Sequence, residues 1–381
     1  MAAVPNTPDL FARVRRTRTA GRLARALAHV TPRLGDLRYR PAFLRARLRH
    51  GRPDAVIGFW GGIGDDMMCT VLCRELRLRG VDPIWIVSRY ADLFEHNRDV
   101  AAVMPWERSS RAALSRTGWN VPNPRYHRHN RAADRAELVE PARHILTTMC
   151  KMVGVVGPIV RRPYLTLLDH EREAGALVPR QVVIQSSGLE AGTPMLNKQW
   201  PAERFQAVVA ALRDEYTFVQ LGGPSDPPLE GVLDMRGRTS RRASAAILSR
   251  SLAFVGNAGF LMHLARAVDC RSVIVYGGRE RPEQTGYGCN ENLAGDVPCS
   301  PCWQRNRCDF GRRCLDQITA AEVVAAARRV TARYGTPLEE DRDVIEPSPS
   351  AGRNERGRPS MSVRTPFGTR RIQAADGPRA A

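Results

Sequence analysis

The sequence predicts an α/β protein made of two doubly wound domains with parallel sheets. Short apolar runs alternate with stretches of helical periodicity, which is typical of strand–helix–strand units. The chain has 381 residues, 43% of them hydrophobic and 25% charged, enough for two packed cores. No apolar run reaches the roughly 20 residues of a membrane-spanning helix. A mainly disordered, fibrous or membrane-spanning chain is therefore excluded.

The first domain is predicted to cover residues 51–175. The apolar run 55–60 reads as a buried strand, and a glycine turn leads from it into a helix with apolar periodicity from Met67. Further strands are expected at 84–87 and 100–104. This order predicts a parallel sheet in which the glycine turn lies at the end of the first strand.

The second domain is predicted to cover residues 176–334 and repeats the alternation. A helix is expected after Trp200-Pro201, since proline is favoured in a first helical turn. Thr319 and Glu322 form a capping-box pattern for a last helix that ends near Tyr334. The expected strands are 182–185, 216–221, 252–255 and 272–276.

Two flanking segments differ in composition from the domains. Residues 1–50 contain twelve Arg and two Asp, so that 12 − 2 = +10 of the net charge of +19 lies in this arm. Its amphipathic pattern predicts either a helix that caps the first domain or attachment to an anionic membrane surface. Residues 335–381 are poor in apolar residues and are predicted to be a disordered tail.

The distribution of the charge, half of which lies in the short arm 1–50, and the low aromatic content together argue against nucleic acid as a partner. Only 6% of the residues are aromatic, and no basic–aromatic alternation or known nucleic-acid-binding module is present. The N-terminus lacks the apolar stretch of a secretory signal, which predicts a cytoplasmic protein, or one that lies peripherally at the inner face of the membrane if the arm binds lipid.

The glycine turn of the first domain is the first candidate site. Gly61, Gly62 and Gly64 precede Asp65 at the start of a helix, where a ligand can approach the backbone closely. Asp65 is suited to be a general base for a hydroxyl, or else caps the helix. The turn is not G-x-G-x-x-G, and Ser88-Arg89 follows the next strand in place of an acidic residue, which disfavours a dehydrogenase.

Two further patterns lie in the second domain. Lys198 is one of two lysines in an arginine-rich chain and precedes a helix start, which indicates a phosphate site, although a solvated surface lysine is the alternative. Gly259 forms a turn after a strand, and Phe260 and Leu261 begin the helix that contains His263. Open α/β sheets bind ligands at such strand ends. His263 could also be a buried core residue.

These motifs together resemble glycosyltransferase family 9, the heptosyltransferase family. The resemblance runs from about Val56 to Ala327 and rests on the order and spacing of its parts. Those parts are G-G-I-G-D at 61–65, K-x-W-P at 198–201, G-G-P at 222–224, the block 255–267 and the cysteine-rich segment that leads to Val323.

The resemblance implies a GT-B fold, in which two Rossmann-like domains face each other across a cleft. It implies inverting, metal-independent transfer of a sugar, heptose or similar, from a nucleotide-diphosphate donor such as ADP-heptose to a glycan or lipid-linked acceptor. The usual acceptor of the family is lipopolysaccharide core. The first domain would bind the acceptor and the second the donor. The implied residues are Asp65 as the catalytic base and, for the donor phosphates, Thr193, Lys198, Gly259, Phe260, Leu261 and His263.

Two residues depart from the family pattern. Ala258 stands where the family has Asp, and Asp66 puts a charge where the family is usually apolar and offers an alternative base. The missing carboxylate at 258 leaves open a rival function. The chain could instead be a degenerate scaffold that binds a sugar nucleotide or a polyanion without transfer.

Two polar clusters complete the candidates. The spacing of Cys299, Cys302, Cys308 and Cys314 permits a structural zinc site, reduced cysteines that pack a loop against the second domain, or a disulfide or redox role. No cofactor is expected for catalysis itself. Residues 127–130, His-Arg-His-Asn, suggest either a basic acceptor-binding loop or a solvated loop.

Overall fold

The computed structural model describes residues 42–58, 61–106, 124, 126, 143–346, 361–365 and 368–372. Its strands are β1 Ala55–Gly58, β2 Ile84–Ser88, β3 Ala102–Pro105, β4 Gly157–Val160, β5 Gln181–Ile184, β6 Thr217–Gln220, β7 Leu233–Asp234, β8 Ala253–Asn257, β9 Ser272–Tyr276, β10 Glu291–Ala294, β11 Arg342–Ile345, β12 Met361–Thr365 and β13 Gly368–Ile372. Its α-helices are α1 42–50, α2 Ile63–Arg77, α3 Ile145–Met152, α4 Asp169–Glu173, α5 Ala202–Leu212, α6 Arg241–Ser249, α7 Phe260–Ala267, α8 Pro282–Thr285, α9 Arg313–Asp316 and α10 Ala320–Ala332. Short 3₁₀ turns lie at Ala91–Phe94 and Leu196–Lys198.

The first domain contains a parallel sheet in the order β1-β2-β3. Val56 pairs with Trp85 on β2, and Trp85 pairs in turn with Ala102 on β3. Strands β1 and β2 are almost entirely buried, as expected of parallel strands that are covered on both faces. Four residues separate the end of β1 from the start of α2, so the glycine turn lies at the carboxyl edge of this sheet.

The second domain contains six parallel strands in the order β10-β9-β8-β5-β6-β7. The order reverses at β5, which is the arrangement that opens a crevice at the carboxyl ends of the central strands. Helix α10 begins with the predicted capping box: the backbone N–H of Thr319 donates to the Glu322 carboxylate at 2.8 Å. The predicted α/β fold with parallel sheets is confirmed.

The chain beyond residue 334 contains structure that the sequence did not predict. Strand β11 pairs antiparallel with β4 of the first domain, where Ile345 is buried and the Thr147 hydroxyl donates to Asp343 at 2.5 Å. Strands β12 and β13 form a hairpin. The prediction of a disordered tail from residue 335 is therefore wrong for these strands, because backbone pairing, and in β11 the burial of Ile345, supply what the local composition lacks.

The basic arm 1–50 is described only from residue 42, and the rest of it lies outside the described residues. Helix α1 packs on the first domain, with the Phe43 ring 5.5 Å from that of Trp85 in an edge-to-face contact and with Ala46 buried. No helix in the described part of the chain is long and apolar enough to cross a membrane.

Candidate active site

The glycine turn places Asp65 at the start of α2. The backbone N–H of Gly62 donates to Oδ2 of Asp65 at 2.6 Å, so this carboxylate caps the helix. Gly61 and Gly62 are exposed, and Asp65 is half-buried. Capping and catalysis are compatible here, because Oδ1 is held separately by the Tyr126 hydroxyl, which donates at 3.0 Å.

The turn lies directly against the first helical turn of α7 in the second domain. A Cβ atom on Gly64 would lie 3.2 Å from Cδ2 of His263 and 3.6 Å from Cα of Phe260. Glycine at position 64 is therefore what lets the two domains approach closely at this point. As a result, residues from G-G-I-G-D and from the block 255–267 meet in one cleft.

The environment of Asp65 raises its pKa. Burial is the main cause and raises the pKa to about 6, although the hydrogen bonds from Gly62 and Tyr126 and the charges of Lys198 and Arg279 all act in the opposite direction. A carboxylate with this pKa is ionised at neutral pH and accepts a proton more readily than an ordinary Asp.

Asp66 lies in a different environment from its neighbour. It is 3% exposed, and its Oδ2 accepts a hydrogen bond from the Ser88 hydroxyl at the end of β2. Burial raises the pKa of Asp66 to about 7. The two carboxylates point in different directions because consecutive residues on a helix are about 100° apart. Asp66 is thus directed at the sheet of its own domain.

Lys198 ends the 3₁₀ turn at Leu196–Lys198 and forms an ion pair with Glu280 at 2.6 Å. The turn is anchored through Asn197, whose Nδ2 donates to the carbonyl oxygens of Gln304 and Arg307 at 3.2 and 2.8 Å. The cysteine-rich segment therefore supports the loop that carries Lys198. Thr193 is exposed on the loop ahead of this turn.

The start of α7 presents backbone N–H groups at the carboxyl end of β8. Gly259 is the N-cap, Phe260 and Leu261 form the first turn, and the first N–H groups of a helix have no partner within it. His263 is buried, and its Nδ1 lies 2.7 Å from the Tyr287 hydroxyl. Burial lowers the pKa of His263 to about 4, with the Lys198 charge acting in the same direction, so its imidazole is neutral at pH 7.

The sequence analysis missed Arg279 and Glu280, which the structure brings beside Lys198. Glu280 contacts Lys198 through Oε1 and Arg279 through Oε2, at 2.6 and 2.7 Å. Burial disfavours the charge of Glu280, but Lys198 and Arg279 outweigh this and hold its pKa below the ordinary value. A signal was present: Gly277-Gly278 after β9 repeats the pattern of a strand followed by glycines.

The four cysteines do not form a metal site in this structure. All four are free thiols, and among the described residues no group of three or more His, Cys, Asp or Glu side chains could hold a metal ion. Cys314 is buried and its Sγ accepts a hydrogen bond from the backbone N–H of Gly278 at 3.0 Å, whereas Cys299 is exposed. This arrangement favours reduced cysteines that pack the segment onto the second domain. Residues 127–130 lie outside the described residues.

Comparisons with known proteins agree with this arrangement. Residues 176–309 match the family model for glycosyltransferase family 9 (heptosyltransferase). A family 9 glycosyl transferase from Veillonella parvula has a similar structure, with a TM-score of 0.54 and 16% identity over 74% of this chain and 97% of that one. The E. coli ADP-heptose lps heptosyltransferase II matches with a TM-score of 0.55 and 15% identity over 74% of this chain and 99% of that one. TibC, an iron-containing dodecameric glycosyltransferase from enterotoxigenic E. coli, matches with a TM-score of 0.55 and 16% identity over 74% of this chain and 76% of that one.

No curated protein sequence matches the chain. The identities to the solved structures are low, so those structures show the fold, while the family model covers much of the second domain. Together they confirm the predicted resemblance, the GT-B fold and the predicted enzyme class.

Proposed function

Since residues 176–309 match glycosyltransferase family 9 and the fold is GT-B, we propose that this chain transfers a sugar from a nucleotide-diphosphate donor to an acceptor hydroxyl, with inversion. The observation that carries the proposal is the close contact between the glycine turn that leads into Asp65 and the start of α7, where Gly64 lies against Phe260 and His263. The base comes from the first domain, and the second domain contributes the ion-paired group of Lys198, Glu280 and Arg279.

The proposed chemistry is a single displacement. The acceptor oxygen attacks the anomeric carbon, and Asp65 takes the hydroxyl proton as the new carbon–oxygen bond forms. The bond from the anomeric carbon to the phosphate oxygen breaks, and its electron pair leaves with the diphosphate. Attack from the face opposite the leaving group inverts the anomeric configuration.

The second domain would stabilise the charge that accumulates on the leaving diphosphate. Lys198 supplies an ammonium group, and the backbone N–H groups at the start of α7 supply dipoles oriented towards an anion. His263 is neutral, so the positive field at this turn comes from Lys198 and the backbone N–H groups. The contact at Gly64 narrows the cleft, which helps to exclude water that would hydrolyse the donor.

The donor we propose is ADP-heptose or a similar nucleotide sugar. TibC has been solved in complex with ADP-D-beta-D-heptose, and the E. coli neighbour is an ADP-heptose lps heptosyltransferase. A glycan or lipid-linked acceptor on the first domain follows from the same likeness, as does a role in cell-envelope glycan synthesis at the cytoplasmic face. No step of the proposed reaction passes through a metal ion, since Asp65, Lys198 and the α7 backbone fill the required roles.

The test of the proposal separates binding from transfer. We expect Asp65→Asn to retain binding of ADP, measured by calorimetry, and to lose release of ADP from ADP-heptose in the presence of a lipopolysaccharide core acceptor. Wild type that binds donor but releases no nucleotide with any acceptor glycan in a panel would favour the binding-only scaffold. Ala258, which is buried and lacks the family carboxylate, is the reason to include that outcome.

We also propose that helix α1 touches an anionic membrane surface. Leu44 and Leu48 are 56% and 79% exposed and lie one turn apart, beside the exposed Arg45, Arg47 and Arg49. No acidic residue occurs between positions 42 and 53. Exposed leucines flanked by arginines fit an anionic lipid surface, where the apolar side chains enter and the guanidinium groups meet headgroups.

The membrane contact predicts salt-sensitive sedimentation with phosphatidylglycerol vesicles. Replacing Leu44 and Leu48 together by Gln should abolish it. The matched control is Leu78→Gln. Leu78 is also exposed, at 61%, but it lies at the C-terminal end of helix α2 and not on α1. Equal sedimentation of the double variant and wild type would contradict the proposal.

A further inference from the structure

We propose that Arg279 is a second cation for the donor diphosphate and that Glu280 is the shared counter-ion that positions Arg279 and Lys198. The inference rests on the proposed function, because it assigns these residues to the same diphosphate site. Both residues follow the Gly277-Gly278 turn directly after β9, which neighbours β8 in the sheet. They therefore lie at the carboxyl edge where such sheets bind ligands.

The turn that carries Arg279 and Glu280 is packed directly against the Lys198 loop. A Cβ atom on Gly277 would lie 2.0 Å from the carbonyl oxygen of Asn197, the residue before Lys198. A Cβ atom on Gly278 would lie 3.0 Å from Sγ of Cys314. A larger residue at position 277 would force the two backbones apart, so Gly277 sets the separation between the turn and the Lys198 loop, while Gly278 lets the turn pack on Cys314.

One buried carboxylate holds both cations. Oε1 of Glu280 lies 2.6 Å from Nζ of Lys198, and Oε2 lies 2.7 Å from a terminal nitrogen of Arg279. The side chains of Glu280 and Arg279 are only 5% and 6% exposed. Lys198 and Glu280 alone would be neutral, so Arg279 is what gives this group a net charge of +1. A diphosphate needs such a net positive field, which Lys198 alone cannot supply here.

The guanidinium of Arg279 is held by contacts on two sides, from Glu280 and from Trp303. Its centre lies 4.9 Å from the ring of buried Trp303, a cation–π contact. Its Nε is buried and has no hydrogen-bond partner among the described residues. The charge of Arg279 is also among those that act to lower the pKa of Asp65.

The experiment measures binding of ADP and of inorganic pyrophosphate by calorimetry. Arg279→Gln should weaken both by about tenfold or more, because it removes a charge-assisted hydrogen bond. Adenosine, which has no phosphate, should bind as it does to wild type. Arg279→Lys keeps the charge and should restore part of the loss, which a purely structural role would not produce.

Glu280→Gln should have the opposite effect on binding. The variant raises the net charge of the group from +1 to +2, so pyrophosphate should bind as tightly as in wild type or several-fold more tightly. Its kcat should fall, because both cations lose the group that positions them. The matched control is Arg281→Gln, which removes the same charge from the next residue, an exposed one, and should leave both ligands within twofold of wild type.

The outcomes are distinct. If Arg279→Gln binds ADP and pyrophosphate as tightly as wild type, the assignment of Arg279 is overturned. If Arg281→Gln weakens binding as much as Arg279→Gln does, the effect is one of overall charge and not of a site at Arg279. Weaker pyrophosphate binding in Glu280→Gln would overturn the counter-ion role. If wild type binds neither ADP nor pyrophosphate, the proposed function itself fails; binding by wild type and Arg279→Gln alike refutes only this inference.

Discussion

Replacing Asp65 by Asn tests the assignment of the general base. The substitution keeps the size of the side chain and an oxygen that can accept from Gly62, but it removes the group that takes the proton. General-base catalysis contributes roughly a hundred- to ten-thousand-fold, so kcat should fall by that factor. ADP binding should be unchanged, because Asp65 does not contact the diphosphate in the proposed reaction.

The pH dependence gives the magnitude for wild type. The pKa of Asp65 is about 6, raised mainly by burial, so the base is ionised above that pH and protonated below it. Turnover should therefore be level above pH 7 and fall about tenfold for each pH unit below 6. A coupled assay of ADP release from ADP-heptose between pH 4.5 and 8.5, with saturating donor, measures this fall in turnover at acidic pH, the acidic limb of the pH profile.

The matched control is Asp66→Asn, which changes the neighbouring carboxylate. Its side chain points at Ser88, so turnover should persist at neutral pH. Full activity of Asp65→Asn would refute the assignment of Asp65 as the base. Loss of turnover only in Asp66→Asn would refute it and make Asp66 the base. A fall in turnover at acidic pH that keeps the same midpoint and slope in Asp65→Asn would also refute the assignment.

Three further predictions concern the same cleft and its support. Tyr126→Phe removes the hydrogen bond that lowers the pKa of Asp65, so the acidic limb should move upward by up to about one pH unit in the ADP-release assay; an unmoved limb contradicts this contact. The pKa of Asp66 is about 7 in the folded protein and has its ordinary value in the unfolded chain, so the folded state binds this proton more tightly. The free energy of unfolding should therefore fall as the pH rises from about 4 to 7. Asp66→Asn should therefore gain up to about 4 kcal/mol over wild type in urea unfolding at pH 8 and little at pH 4, and an equal gain at both would be inconsistent with this. Treatment with EDTA should leave transfer and melting temperature unchanged, and loss of either together with released metal would show that the cysteine-rich segment holds an ion.

The sequence was sufficient to predict the parts of the site that lie in local patterns. The glycine turn before Asp65 and the loop before Lys198 each occur where a strand or loop leads into a helix, and backbone chemistry at such places is local. The α/β fold with parallel sheets follows from the alternation of apolar runs and helices, and the resemblance to glycosyltransferase family 9 implied the GT-B arrangement. The sequence left His263 open as a donor-site residue or a core residue, and only the packing of α7 shows that it is buried against Tyr287.

The rest of the site depends on contacts between distant segments. Gly277-Gly278 marks a strand end ahead of Arg279 and Glu280, but their place beside Lys198 follows from the adjacency of β9 and β8 and from the close approach at Gly277. Tyr126 reaches Asp65 from 61 positions along the chain. Strand β11 is similarly non-local, because its composition is that of a tail and its pairing with β4 makes it a strand.

Binding of ADP to wild type and to two lysine variants tests the central claim most directly. The chain has only two lysines, Lys198 in the cleft and the exposed Lys151 on α3, so Lys151→Ala is a control with the same change in charge. At a hundred times the dissociation constant, ADP should stabilise wild type and Lys151→Ala by roughly 2.7 kcal/mol in a thermal-shift measurement. We predict that Lys198→Ala shows little or none of this shift. A shift of equal size in all three proteins, or no shift in wild type, would contradict a diphosphate site at Lys198.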